Sequence, residues 1–360
     1  MNNNKPNFLL LYIILTPVIL IPAAVIILLF VRGDEAQQLY KKALAAAACG
    51  DYRTAAAEFE RSGRRGHAES YYSLARLYQS NMIQAENQQE MVYVNLIRAS
   101  LHGSAPASYE LGLLALQAPG TDYAQAALYF HSAALAGHAQ AQLELGRLYE
   151  SGEGVKKSPL LAREFYKKAA MQKNAEAQTA LGILLLTAPE NKNDLAEAEK
   201  YLQAAARQQH AKAFTALGYL HEKQAALDKD NLDADAQAGI YYRKAAALGD
   251  PEGLVNYGDW LMSHSRQAEA VDNYRKAAEM HNFAPALHRL GVYYFKLDRP
   301  DYDLAGKYFK QAAAKGYAAS WKNLGIMAEM GHGSAPDPKK AAECYSMAEK
   351  LSGKSSKKNK

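Results

Sequence analysis

The chain has 360 residues, of which 49% are hydrophobic and 22% are charged, so it is long and apolar enough to form a large core. Its formal net charge is only +5, and its two cysteines, Cys49 and Cys344, lie far apart and provide no disulfide framework. Proteins that bind nucleic acids concentrate Lys and Arg on one face, so this composition argues against a nucleic-acid partner.

The N-terminal region predicts a membrane anchor. After a short tail, 1–7, the stretch 8–31 contains no charged residue and is long enough to cross a hydrocarbon core of about 30 Å as a helix. A cleaved signal peptide has a shorter apolar region with a small-residue cleavage site close behind it, and no good site follows Val31. We therefore predict one uncleaved transmembrane helix over 8–31.

The residues after this stretch predict a first helical hairpin over 34–66. Its first half is apolar at helical spacing, and Gly50 and Asp51 form a turn before the second half. The hairpin has no Leu-Gly pair of the kind described below, as is allowed in a terminal capping unit.

A run of side chains then recurs along the chain: two large, mostly aromatic residues, an Ala-Ala pair and a helix-breaking residue, as in Tyr241–Asp250. A Leu-Gly pair follows the breaker at a fixed offset in most units, with Ala75 in place of the glycine in the first. Such self-similarity predicts stacked helical hairpins. The units start near residues 67, 104, 138, 174, 210, 250, 283 and 317, and they fill 67–353. The remainder, 354–360, is rich in Lys and Ser and is predicted to be a disordered basic tail.

The repeated marks have physical roles. A breaker such as Gly137 ends a helix, because glycine enters the left-handed conformation without steric cost. Ser104, Asn174 and Asp250 then stand where a side-chain oxygen caps the next helix. For the glycine of the Leu-Gly pair, we expect a close contact with the Ala-Ala pair of the partner helix.

These residues resemble the Sel1-like repeat, a relative of the tetratricopeptide repeat. The unit that begins at His138 carries nearly all of the family pattern: Ala139, Ala141, Leu145, Gly146, Leu148, Tyr149, Gly152, Gly154, Val155, Ala162, Tyr166, Lys168, Ala169 and Ala170. The resemblance implies an all-α fold, a right-handed α-solenoid of about eight repeats, and a protein that binds other proteins.

The orientation of the anchor is open on charge alone. Lys5 precedes the apolar stretch, and Arg32, Lys41 and Lys42 follow it, which leans slightly toward cytoplasmic repeats. Free cysteines also suit a reducing compartment. Sel1-like proteins with one N-terminal anchor, however, resemble bacterial envelope proteins. We therefore predict a single-pass protein of the bacterial inner membrane with its repeats on the periplasmic side.

The implied function is a membrane-anchored scaffold that binds a partner protein within a bacterial envelope assembly. One alternative is a scaffold of exopolysaccharide export similar to the alginate-secretion protein, although this chain has no cysteine directly behind the apolar stretch to accept a lipid. The other is a regulator or an enzyme with a ligand site in the groove of the solenoid.

No motif predicts catalysis, a metal or a cofactor. His67, His138 and His210 share one turn position in different repeats, which indicates a structural role and places them too far apart to share a metal. The acidic segment from Asp228 to Asp235 lacks the glycine and glutamate that a calcium loop requires. We expect no enzyme activity.

The candidate partner-binding residues come from solenoid geometry, in which the first helices of successive repeats form one concave face. Two positions of each first helix that packing does not use supply most of them, and two tryptophans are added as possible hot spots. The candidates are Arg76, Glu110, Glu144, Arg147, Tyr219, Asn256, Asp259, Trp260, Arg289, Trp321 and Asn323.

Overall fold

A computed structural model describes residues 32–118, 120–189, 193–227 and 232–358. These residues form eighteen helices and no strand. In chain order the helices are α1 (32–48), α2 (Tyr52–Gly63), α3 (Ala68–Gln79), α4 (Gln88–Leu101), α5 (Ala105–Gln117), α6 (Tyr123–Leu135), α7 (Ala139–Ser151), α8 (Pro159–Met171), α9 (Ala175–Thr187), α10 (Asp194–Arg207), α11 (Ala211–Leu227), α12 (Leu232–Ala247), α13 (Pro251–Ser263), α14 (Gln267–His281), α15 (Ala284–Phe295), α16 (Tyr302–Ala314), α17 (Ala318–Met330) and α18 (Pro338–Lys358).

The predicted anchor, 8–31, lies outside the described residues. Among the helices that the structure describes, none combines the length and the apolar character needed to span a bilayer.

The chain divides into two compact units, with the boundary between Gln172 and Lys173. In the first unit, α1 and α2 share a core built on Ala43, Ala55 and Phe59, as expected of a capping hairpin. The hairpins α3–α4, α5–α6 and α7–α8 follow it. The second unit consists of the hairpins from α9–α10 to α17–α18.

Each repeat starts with a tight reversal between two helices. Gly103 and Gly137 have φ values of 93° and 87°, so both adopt the left-handed conformation that ends a helix. The side chains of Ser104, Asn174 and Asp250 accept hydrogen bonds from backbone N–H groups in the first turn of the next helix. Every first helix from α3 to α17 begins one residue after the start that the sequence predicts.

The glycine of the Leu-Gly pair has a different neighbour from the one expected. A Cβ on Gly146 would lie 2.6 Å from the ring of Tyr166, and one on Gly112 would lie 2.4 Å from the ring of Phe130. The large residue that precedes the Ala-Ala pair therefore occupies the space, and the Ala-Ala pair does not. The alanine pair serves the next contact along the stack, where Ala245 packs against α13.

Where that ring belongs to a tyrosine, its hydroxyl meets an acid on the first helix. Tyr166 donates a 2.6 Å hydrogen bond to Glu150, four residues after Gly146. Tyr345 donates a 2.7 Å hydrogen bond to Glu329, which stands in the same relation to its own glycine. In the unit with Phe130, the corresponding position is Leu116. The second-helix ring and the first-helix residue are therefore matched in polarity within one repeat.

The C-terminal end differs from the sequence prediction. Helix α18 continues through Lys358, so it includes most of the segment 354–360 that is predicted to be a disordered tail. The reason lies at Gly353, which is not among the glycines with positive φ and so does not end the helix.

Candidate protein-binding site

In the first unit, the predicted residues form ion pairs with one another. Arg76 on α3 lies 3.6 Å from Glu110 on α5, which also accepts a 2.7 Å hydrogen bond from the hydroxyl of Tyr72. Burial and the neighbouring Glu110 carboxylate raise the pKa of Tyr72 to about 12. On α7, Glu144 and Arg147 form an ion pair at 2.9 Å. The first pair therefore joins helices of successive repeats, and the second lies within one helix.

The strongest such pair lies in the second unit. Arg289 on α15 donates hydrogen bonds of 2.7–3.0 Å to both carboxylate oxygens of Asp259 on α13. Asp259 also accepts a 2.6 Å hydrogen bond from the hydroxyl of Tyr274. The hydrogen bond to Asp259 raises the pKa of Arg289. The pair therefore joins two successive repeats.

The two tryptophans contact their own chain. The indole N–H of Trp260 donates to the carbonyl oxygen of Asp235 at 3.2 Å, and its ring stacks on His264 at a centroid distance of 3.9 Å. The indole N–H of Trp321 donates to the carbonyl oxygen of Ala313 at 3.0 Å. Both side chains are half-buried, as is Asn323 two residues beyond Trp321.

Two predicted residues, Tyr219 and Asn256, line one cavity of about 210 Å³ between the first helices α9, α11 and α13. We call this cavity the α9–α11–α13 groove. The other residues that line it are Ile183, Leu186, Thr187, Lys212, Thr215, Ala216 and Glu252. The structure thus brings together two of the residues predicted for the first-helix face, whereas Asp259 and Arg289 form a separate pair.

The groove has a buried floor and a charged rim. Thr215 and Ala216 are only 6% and 7% exposed, and the hydroxyl of Thr215 is held by a 2.7 Å hydrogen bond to the carboxylate of Asp250. Lys212 and Glu252 are exposed on the rim, and neither forms an ion pair within the described ranges. The groove therefore offers one free cation and one free anion beside an apolar surface.

Lys212 and Glu252 were missed because only two positions of each first helix were considered. Both residues lie two positions after the turn residue of their repeat, His210 and Asp250. A charged residue at this shared position could have been recognised from the sequence. The fact that the charges at the chosen positions pair internally could be learned only from the structure.

The histidines at the turn position have structural contacts. Nδ1 of His138 accepts a hydrogen bond from the backbone N–H of Ala141 at 3.2 Å. Nδ1 of His67 lies 3.0 Å from the hydroxyl of Ser70, and that of His210 lies 2.8 Å from the hydroxyl of Thr179. Burial lowers the pKa of all three rings. In the part of the chain that the structure describes, no cluster of His, Cys, Asp and Glu could hold a metal ion.

The fold and the groove define a class: an all-helical repeat solenoid with sites between its first helices. The model of the Sel1 repeat matches residues 105–138, 139–174, 175–210, 212–250, 255–282, 284–317 and 322–352. These stretches cover more than half of the chain, which therefore belongs to the Sel1 repeat family, whose members are protein-interaction scaffolds.

The family match gives seven repeats, whereas the sequence analysis predicted about eight. The difference is the hairpin α3–α4. There Ala75 replaces the glycine and Leu96 replaces the ring, and the two pack in one core cluster with Tyr71, Ala99, Ala107 and Leu111.

The solved structures that are similar to this chain include the following two. One is a protective antigen of uropathogenic Escherichia coli strains, with a TM-score of 0.67 and 23% identity, covering 87% of this chain and 68% of the antigen. The other is a Sel1 repeat protein from Oxalobacter formigenes, with a TM-score of 0.54 and 27% identity, covering 67% of this chain and 96% of that protein. A search of curated protein sequences found no match.

Proposed function

We propose that this Sel1 repeat protein acts by binding, without catalysis, and holds a segment of a partner protein in the α9–α11–α13 groove. The observation that carries the proposal is the pair of free charges. Lys212 and Glu252 lie on the rim of an apolar floor and form no ion pair in the described chain, whereas Asp259 and Arg289 neutralise each other.

The lining of the groove defines the partner segment. Ile183, Leu186 and Ala216 suit an apolar side chain. Lys212 favours a carboxylate in the same segment, and Glu252 favours a basic residue. The segment we propose therefore carries an apolar, an acidic and a basic residue close together.

The charges allow a direct test. We expect Lys212→Glu and Glu252→Lys each to reduce recovery of the partner by an affinity-tagged protein. Each substitution places the groove charge next to a partner side chain of the same sign. Lys276→Glu on α14 is a matched control, since Lys276 is exposed and does not line the groove. Equal recovery with Lys212→Glu and with the parent protein would contradict the proposal.

We further propose that the stretch 8–31 anchors the repeats in the bacterial inner membrane on the periplasmic side, where they serve an envelope assembly. The support is the uncharged length of this stretch together with the protein-binding class of the repeats.

The test of the anchor is to fuse alkaline phosphatase and, separately, a fluorescent protein to the C-terminus in a bacterial host. Active phosphatase with a dark fluorophore, recovered in the membrane fraction, is the expected result. A bright fluorophore with inactive phosphatase would place the repeats in the cytoplasm. That result would contradict the proposed role in an envelope assembly.

A further inference from the structure

Two second helices carry a glycine at the same repeat position: Gly239 on α12 and Gly306 on α16. Each lies immediately after a buried alanine and two residues before the paired large residues, Tyr241 and Tyr308 being the first of each pair. A residue without a side chain leaves space against the first helix of the next repeat, and the two repeats use this space differently.

At Gly239 the space is filled by an indole. A Cβ at this glycine would lie 2.5 Å from the ring of Trp260, which stands two residues after Gly258 on α13. The indole N–H donates to the carbonyl oxygen of Asp235, four residues before Gly239. The chain thus defines the shape and the polar contact of an aromatic ring at this position.

At Gly306 the corresponding residue is Met327, two residues after Gly325 on α17. Only its terminal methyl carbon, at 3.4 Å, would lie within 4 Å of a Cβ on Gly306. A cavity of about 410 Å³ remains between α16, α17 and α18, and we call it the α16–α18 cavity. Its apolar lining includes Leu324, Ala328 and the buried Cys344.

The α16–α18 cavity also has polar lining residues. The residue four positions before Gly306 is Tyr302, which lines the cavity and holds the helix position that Asp235 holds before Gly239. Lys310 and Lys340 also line it, both exposed and neither in an ion pair within the described residues. Asp303 supplies the carboxylate among the lining residues.

We propose that the α16–α18 cavity binds a tryptophan side chain of a partner protein, with an acidic group next to that tryptophan held by Lys310 and Lys340. The ring lies against Gly306 and Met327, in the place that corresponds to that of Trp260 against Gly239. This site is separate from the α9–α11–α13 groove and does not depend on it, since the two share no lining residue.

The test uses N-acetyl-L-tryptophan, which carries both the ring and a carboxylate, and its amide, which carries the ring alone. Both are titrated into the full chain labelled with ¹³C at the methionine methyl groups. We expect a saturable shift of the Met327 methyl signal with both probes, and a dissociation constant for the acid lower by roughly two- to fivefold, because exposed ion pairs contribute modestly.

Three variants make the result specific. Met327→Trp supplies the ring from the chain itself, and Gly306→Val fills the space from the other side, so we expect each to abolish probe binding. Because Met327→Trp removes the reporting methyl group, its probe binding is measured by isothermal titration calorimetry, whereas Gly306→Val is followed at the Met327 signal. Gly306→Val decides the matter if Met327→Trp does not fold. In the reciprocal direction, Trp260→Met opens the space at Gly239 and is expected to create a second probe site.

The outcomes are distinct. No saturable shift at Met327, or binding that survives both filling variants, would overturn the proposal. A folded Trp260→Met protein without a second site would contradict the equivalence on which the proposal rests. Loss of the charge preference in a Lys310→Gln, Lys340→Gln double variant would support the position of the acidic group, and a retained preference would contradict it.

Discussion

At the scale of single residues, one glycine in most first helices makes room for one large side chain of the second helix. Gly146 lies under Tyr166, and Gly182 lies under Leu202. The fit is local to each hairpin, because ring and glycine belong to the same repeat. The sequence analysis identified these glycines as packing positions but assigned the contact to the Ala-Ala pair, since spacing alone does not show which of two neighbouring helical positions faces the glycine.

Alanine substitutions at Gly239 and Gly306 should have opposite effects. Gly239→Ala places a methyl group against the Trp260 ring, so we expect it to lower the free energy of unfolding by about 1–3 kcal/mol. Gly306→Ala meets only the mobile end of Met327 and removes a glycine from a helix, so we expect a gain of up to about 1 kcal/mol. Urea denaturation of both variants measures the difference, and equal losses would show that the two positions are not distinct.

The match between tyrosine and acid can be moved to another repeat. Phe130→Tyr buries a hydroxyl opposite Leu116, and we expect it to cost about 1–3 kcal/mol of stability. Leu116→Glu in the same chain supplies the acceptor that Tyr166 finds in Glu150, so the double variant should recover part of the loss. A double-mutant cycle by urea denaturation isolates this coupling. Additive effects would mean that the two positions do not meet.

At the scale of helices, the chain uses two kinds of residue to end the second helix. Gly137 has a φ of 87°, but Lys173 and Gln209, at the same repeat position, also have positive φ values of 62° and 59°. A side chain in this conformation costs energy that glycine avoids. The repeat pattern is therefore strong enough to impose the reversal on residues that do not favour it.

Glycine in place of Lys173 or Gln209 should remove the energetic cost of the left-handed conformation. We expect Lys173→Gly and Gln209→Gly each to raise the free energy of unfolding by up to about 1 kcal/mol, since relief of the left-handed strain exceeds the added entropy of the unfolded chain. Gly137→Ala is the opposite control and should lower it by about 1 kcal/mol. Thermal and urea denaturation test both directions. A loss in both glycine variants would show that the lysine and glutamine side chains stabilise the turn.

The contact between α15 and α17 should respond to pH. Burial and the charge of Arg289 lower the pKa of His288 to about 4, and its Nδ1 lies 2.9 Å from the hydroxyl of Ser320. Folding therefore favours the neutral ring, and this contribution to stability is present above about pH 6.5 and is lost as the pH falls toward 4.

We expect the parent protein to lose up to about 2 kcal/mol more stability than His288→Gln between pH 7 and pH 5. The measurement is urea denaturation of both proteins at each pH. The comparison with the variant separates His288 from the other titrating groups. An equal loss in the two proteins would show that His288 does not carry the effect.

The helical elements were largely predictable, because breakers, caps and paired residues recur at fixed offsets. The helix ends at Gly103 and Gly137 and the caps at Ser104 and Asn174 follow from the preferences of those residues. The α18 end at Lys358 was not predictable in this way. Gly353 lies within α18 and is not among the glycines with positive φ, so a glycine in the sequence does not by itself end a helix.

At the scale of the whole molecule, the two proposed binding sites lie where polar side chains or space remain unused by contacts between repeats. Four of the predicted face residues join successive repeats as the pairs Arg76–Glu110 and Asp259–Arg289. The groove around Ala216 carries two charges that form no ion pair among the described residues, and the cavity at Gly306 is a local departure from the contact made at Gly239. A consensus pattern predicts the framework well, but it cannot show which polar positions remain free, since that depends on pairs formed between repeats.

The central claim is that the α9–α11–α13 groove holds a partner protein. The most direct measurement is photo-crosslinking in the cells that make the protein, with p-benzoyl-L-phenylalanine at Tyr219, on the groove, and at Lys276, outside it. We expect one defined crosslinked product at Tyr219, lost when Glu252→Lys is added, and none at Lys276. The same products at both positions, or none at Tyr219, would contradict the claim.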